Sequence, residues 1–112
     1  MHIDDLIKEI KPHIPFSSEQ AAQKFIDGFE EDDRIALISA MYIGRSHIHA
    51  QEINDDHIKH VRSGEMNRGW EKGSVPDNEI ARILYEKNTN LTTYYDAFIR
   101  CTANSKFDRS NF

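Results

Sequence analysis

Between Glu30 and Arg45 the chain reads Glu-Glu-Asp-Asp-Arg-Ile-Ala-Leu-Ile-Ser-Ala-Met-Tyr-Ile-Gly-Arg, and no other segment constrains the fold as strongly. Glu30, Glu31, Asp32 and Asp33 fall in a helical first turn, where carboxylates complement the positive end of the dipole. Ile35, Leu37, Ile38, Met41 and Tyr42 then supply an apolar face too broad to be left against water, so this helix is expected at the centre of the core. Gly44 is expected to stop it in a left-handed cap, with Arg45 just beyond. The apolar run from Ile35 to Ile43 is far shorter than the roughly 20 residues a bilayer-spanning helix needs, so no membrane segment is expected.

The same 3.6-residue period recurs along the chain. Leu6, Ile7 and Ile10 share one side of a short first helix that Pro12 and Pro15 end. Ser17 stands three residues ahead of Gln20, a capping-box spacing that opens a second helix through Ala21, Ala22, Phe25 and Ile26. Asn54-Asp55-Asp56 starts another, carrying Ile58 and Val61 inward with Lys59, His60 and Arg62 near its end. Residues 63–74 hold Gly64, Gly69 and Gly73 among polar side chains and read as a loop. Pro76 then sits in the first turn of a helix with Ile80, Ile83 and Leu84 inward. Asn90 is placed to cap a last helix bearing Leu91, Tyr94, Tyr95, Phe98 and Ile99. A short hairpin between residues 45 and 53 is the one alternative, because His47, Ile48 and His49 alternate in polarity. The pattern predicts an all-α fold, an irregular bundle of about five or six helices in a single domain over residues 1–103, with a flexible polar tail over 104–112.

With 112 residues and 38% hydrophobic side chains, one core is expected without disulfides or a structural metal. The net charge of −5 is unevenly spread. Residues 1–33 carry three basic and nine acidic side chains, a balance of −6, and the rest carry 11 basic and 10 acidic ones. A negative face repels nucleic-acid phosphates and attracts basic partners, so direct nucleic-acid binding is not expected. The start of the chain, Met1-His2-Ile3-Asp4-Asp5-Leu6, lacks the basic and apolar regions of a secretory signal, and a cytoplasmic location is expected. Cys101, the single cysteine, reads as a core or half-buried thiol near a helix C-terminus, a position that does not activate it.

No nucleophile elbow, phosphate-cradling loop or dinucleotide fingerprint is present, so no catalytic residue, cofactor or metal is assigned and an enzyme is not expected. The alternative rests on the histidines. His47 and His49 are two apart, His57 and His60 share a helix face, and Glu52 and Asp56 are close in sequence. Those residues make the stretch from His47 to His60 the place for a metal-binding or enzymatic site. Recognition draws on two other features. The block Glu30, Glu31, Asp32 and Asp33 forms an anionic face as well as a helix start. Trp70, next but one to Arg68 in the glycine-rich loop, is the type of residue that anchors an interface.

Ala40-Met41-Tyr42-Ile43-Gly44-Arg45, with the helical segments Ile80–Tyr85 and Leu91–Tyr95, resembles a small bacterial helical family of unknown function. Its members pair an apolar helix ending in Ile-Gly-Arg with a C-terminal stretch rich in Leu and Tyr. The resemblance covers about residues 33–99 and implies a helical fold without an assigned activity. The family's Trp after the Gly-Arg is replaced here by a region containing Ile53. By size and acidity the chain is also similar in type to immunity proteins of bacterial contact-dependent inhibition and toxin systems. That likeness implies a non-catalytic inhibitor, or antitoxin, that occludes a basic, nuclease-type toxin domain. Glu30, Glu31, Asp32, Asp33, Arg68 and Trp70 are then the candidate contacts. A third reading is a housekeeping homodimer in which Tyr94, Tyr95 and Phe98 pack across a two-fold axis.

Overall fold

In a computed structural model, which describes residues 1–112 except for the side chain of Asn111, the chain is all α. Six helices run Ile3–Ile10 (α1), Glu19–Ile26 (α2), Glu31–Arg45 (α3), Asp55–Ser63 (α4), Ile80–Glu86 (α5) and Leu91–Asn104 (α6). Short 3₁₀ turns at Lys11–His13, Asp77–Glu79, Asn88–Asn90 and Arg109–Asn111 link or follow them. Among the described residues there is no strand, so residues 46–49 turn helically where a hairpin was the alternative. Nor is any helix among them long and apolar enough to cross a membrane.

α3 occupies the centre, as its sequence demands. Every residue from Ile35 to Met41 is buried, and its most extensive packing is against α6. Full burial of one such Leu or Ile is worth about 1.5–3 kcal/mol, so this helix is a main source of stability. α2 pairs with α5 and α1 lies against α3. The aromatic side chains of α6 face inward: Tyr95 and Phe98 are fully buried and Tyr94 nearly so, inside one copy of the chain. Tyr95 donates its hydroxyl to the Leu37 carbonyl at 3.0 Å. The residues expected to form a two-fold interface are therefore consumed by the chain's own core.

Several local expectations are corrected. Gly44 is a buried residue inside α3, where a Cβ would stand 1.8 Å from the Tyr94 carbonyl oxygen. It is glycine because α6 crosses there, backbone against helix, and the spacing Ala36, Ala40, Gly44 keeps that face shallow. The cap of α2 is Ser18, whose hydroxyl accepts the Ala21 N–H at 3.0 Å, rather than Ser17. Asn90 makes no side-chain cap, since the chain enters α6 through a continuous 3₁₀ turn.

Residues 104–112, expected as a flexible tail, fold back on the domain. Lys106 adopts φ 57°, and the Phe107 N–H reaches the Thr102 carbonyl at 2.9 Å while the Lys106 N–H reaches Ala103 at 3.1 Å. That pair of bonds is a Schellman motif, which reverses the chain at the end of α6. Phe112 is then buried against Phe98, with ring centroids 4.9 Å apart, and Arg109 pairs with Asp4 at 2.8 Å. Polarity predicted a tail; two phenylalanines and one arginine hold it down.

Candidate functional site

The four acids that open α3 separate into two kinds. Glu30, Glu31 and Asp32 are exposed, and among the described residues none of them is in an ion pair. Asp33, in the same first turn, is buried and faces Arg68 at 3.3 Å and the α-amino group of Met1 at 2.9 Å. Arg68 also donates to the carbonyls of Met1 at 2.6 Å and Phe112 at 3.3 Å. Asp33 is thus an internal group and Arg68 a half-buried one engaged within the chain: they tie the loop and both ends of the described chain to the start of α3. Of the four, Glu30, Glu31 and Asp32 remain exposed and without an ion pair among the described residues. Asp77, near in space, is engaged in a two-point pair with Arg34 at 2.8 and 2.9 Å.

Trp70 is placed elsewhere. Residues 64–76 form successive turns, and the buried hydroxyl of Ser39 fixes two of them. It donates to the Arg68 carbonyl at 3.0 Å and accepts the Glu71 N–H at 3.1 Å, so one side chain of α3 brackets Trp70 from both sides in sequence. The indole packs 5.2 Å from the His60 ring and edge-to-face with His57 at 6.0 Å. The result is a cleft of about 460 Å³ at the C-terminal end of α3. Tyr42, Arg45 and Ser46 line one wall, His57 another, and Trp70 and Glu71 the third.

The cleft holds one carboxylate, Glu71, beside the C-terminal end of a 15-residue helix, the negative end of its dipole. Burial raises the Glu71 carboxyl above its ordinary value, a cost to its charged form that a matching cation would relieve. Burial also lowers His57, with His47 adding to the effect, so its ring is neutral at pH 7. The His57 Nδ1 is buried without a hydrogen-bond partner. Tyr42 is raised by burial and by the charge of Glu71. Against these stands one cation, the exposed Arg45 at the rim.

The histidines of the alternative reading are brought near each other but not as ligands. His47 is buried, donates from Nδ1 to the Ile43 carbonyl at 2.6 Å and accepts the Asn54 N–H on Nε2 at 3.0 Å. Both nitrogens are spent on closing the turn between α3 and α4. His60 is paired with Glu65 at 2.9 Å, and His49 is exposed. Among the described residues no three His, Cys, Asp or Glu side chains stand together as a metal site. Cys101 is buried, its thiol directed at the Ala50 carbonyl at 3.4 Å and raised above its ordinary value by burial. That is the reverse of an activated nucleophile.

Tyr42, Arg45, Ser46 and Glu71 escaped the sequence reading. The one available signal was that Tyr42 and Ser46 lie four apart at a helix end, one turn on the same face. Glu71 is brought to them by Ser39, a contact 32 residues long that no local pattern encodes. Set against protein-family models, curated proteins and solved structures, the chain matches none.

Proposed function

We propose that this chain is a non-catalytic protein-binding inhibitor of the immunity or antitoxin type, acting in the cytoplasm by occluding a basic, nuclease-type toxin domain. The observation that carries the reading is the exposed, unpaired triplet Glu30, Glu31 and Asp32. Surface carboxylates of a stable domain are commonly paired or dispersed; three in succession at the end of the central helix concentrate a negative field. Such a field accelerates encounter with a positive surface and repels nucleic acid, the substrate for which a nuclease inhibitor competes. Support matters as much as charge, and the pair of buried Asp33 with half-buried Arg68 next to the triplet supplies it.

The test is kinetic. With a basic partner obtained by co-expressing the neighbouring reading frames, neutralising the triplet as Glu30→Gln, Glu31→Gln and Asp32→Asn should slow association about tenfold at low salt. The difference should vanish near 1 M salt, where the screening length is about 3 Å. Equal rates for both proteins at low salt would remove the acidic surface from the interaction.

A further inference from the structure

The second surface feature lies at the opposite end of α3, about 20 Å from the triplet along a helix rising 1.5 Å per residue. We infer that the cleft there binds an organic cation, a guanidinium or ammonium group, with the Glu71 carboxylate as counter-ion and the Trp70 indole as its aromatic wall. Four observations converge on that chemistry. Glu71 forms no ion pair or side-chain hydrogen bond among the described residues, although its carboxyl is partly withdrawn from water. A desolvated, unmatched carboxylate gains more from a cation than a hydrated one does. Tyr42 and Ser46 belong to the last turn and cap of α3, so the helix contributes the negative end of its dipole. The Trp70 ring packs on the two histidine rings, the backbone on either side of it is anchored by Ser39, and indole is the best aromatic partner for a cation. His57, neutral at pH 7, adds a ring without adding a repelling charge.

An anion is the competing occupant, since Arg45 faces the same space. Arg45 is exposed and unpaired among the described residues, a long side chain free to swing aside. Glu71 differs in burial: its backbone is pinned to Ser39 and its side chain is half-withdrawn from water. The less hydrated charge of the cleft is therefore the negative one. The inference does not depend on the acidic triplet, whose neutralisation leaves every group of the cleft in place.

The chain contains one tryptophan, so its emission reports on this cleft alone. The experiment titrates the full chain with agmatine, with a blocked Gly-Arg-Gly peptide and with inorganic phosphate, following Trp70 fluorescence. A saturable change with either cation, weakened about tenfold or more in Glu71→Gln and strengthened in Arg45→Gln, supports the site. Tighter binding of the peptide assigns a polypeptide source, and equal binding assigns recognition of the free cationic head group. Circular dichroism verifies that both variants fold. Binding of phosphate in place of the cations, or cation binding indifferent to Glu71→Gln, overturns the inference, as does silence of the fluorescence with all three ligands when backbone amide shifts around residues 42–46 and 70–71 are also unmoved.

Discussion

Ser39 lies on the same side of α3 as Ile35 and Ile38, and it is wholly buried. A lone hydroxyl in such surroundings needs partners, and it finds a carbonyl and an amide of a loop that has no ladder of its own. Removing it leaves both loop groups unsatisfied. Ser39→Ala is expected to lower stability by about 1–3 kcal/mol and to shift the emission of Trp70, because the turn that holds the indole loses its anchor. Urea denaturation and fluorescence check both, and an unchanged spectrum would mean that the loop holds itself. The same scale explains why two candidate contacts were misplaced. Asp33 and Arg68 have the chemistry of surface residues, and only their mutual approach at 3.3 Å reveals an internal pair. Glu30 to Asp32 and Asp33 are indistinguishable by composition; what divides them is the rotation of about 100° from one helical residue to the next, which turns Asp33 toward the core.

At the scale of elements, periodicity carried most of the information. α1, α3, α4 and α6 fall where their apolar spacing places them, and Gly64, at φ 80°, ends α4 in the left-handed conformation that glycine tolerates. Gly44 was the instructive failure. Its position after an apolar run looks like a helix stop, yet the requirement it meets is lateral: the backbone of α6 approaches it so closely that a Cβ would meet Tyr94 at 1.8 Å and Phe98 at 3.2 Å. Nothing local in sequence separates a glycine that ends a helix from one that lets another helix cross it. Gly44→Ala must therefore push α6 from α3, at a cost of about 3 kcal/mol or more, whereas alanine at a true left-handed cap would cost about 1 kcal/mol. Thermal or denaturant unfolding of this variant separates the two assignments. Since Tyr42 and Ser46 flank Gly44, the variant should also disturb the cleft that they line.

For the whole molecule, the ionisable groups give stability a definite pH dependence. Asp4 is held below the ordinary 3.8 by its bond to Arg109, so its contribution is present above that value and fades as pH falls through the folded value. His57 is lowered from 6.5 by burial; the unfolded chain takes up its proton first, and stability declines as pH drops from about 6.5 toward the folded value. Cys101 is raised from 9.0 by burial, so its term is intact below 9.0 and lost as pH rises through the folded value. Stability measured by urea midpoint should accordingly be highest between about 6.5 and 9.0. In His57→Phe the decline just below 6.5 should disappear while the limb below 3.8 persists; in Asp4→Asn the limb below 3.8 should shrink, with Asp108 still contributing to it, while the decline below 6.5 persists. A decline that both variants retain would assign it to other groups.

Helices hold two separate surfaces, one acidic and one a cleft, and the acidic one is the surface proposed to meet a basic protein. The fold class was legible because burying apolar stripes leaves few arrangements for a chain this short. The surfaces were only half legible, because pairing and burial decide which charges remain free. The decisive measurement is to co-express the tagged chain with its neighbouring reading frames, isolate what it holds, and assay that protein in and out of the complex. The proposed function predicts one basic partner at equal stoichiometry, inactive when bound and active when released, and captured about tenfold more slowly at low salt when Glu30, Glu31 and Asp32 are neutralised. Recovery of the chain alone, or a partner that stays active in the complex, would contradict it.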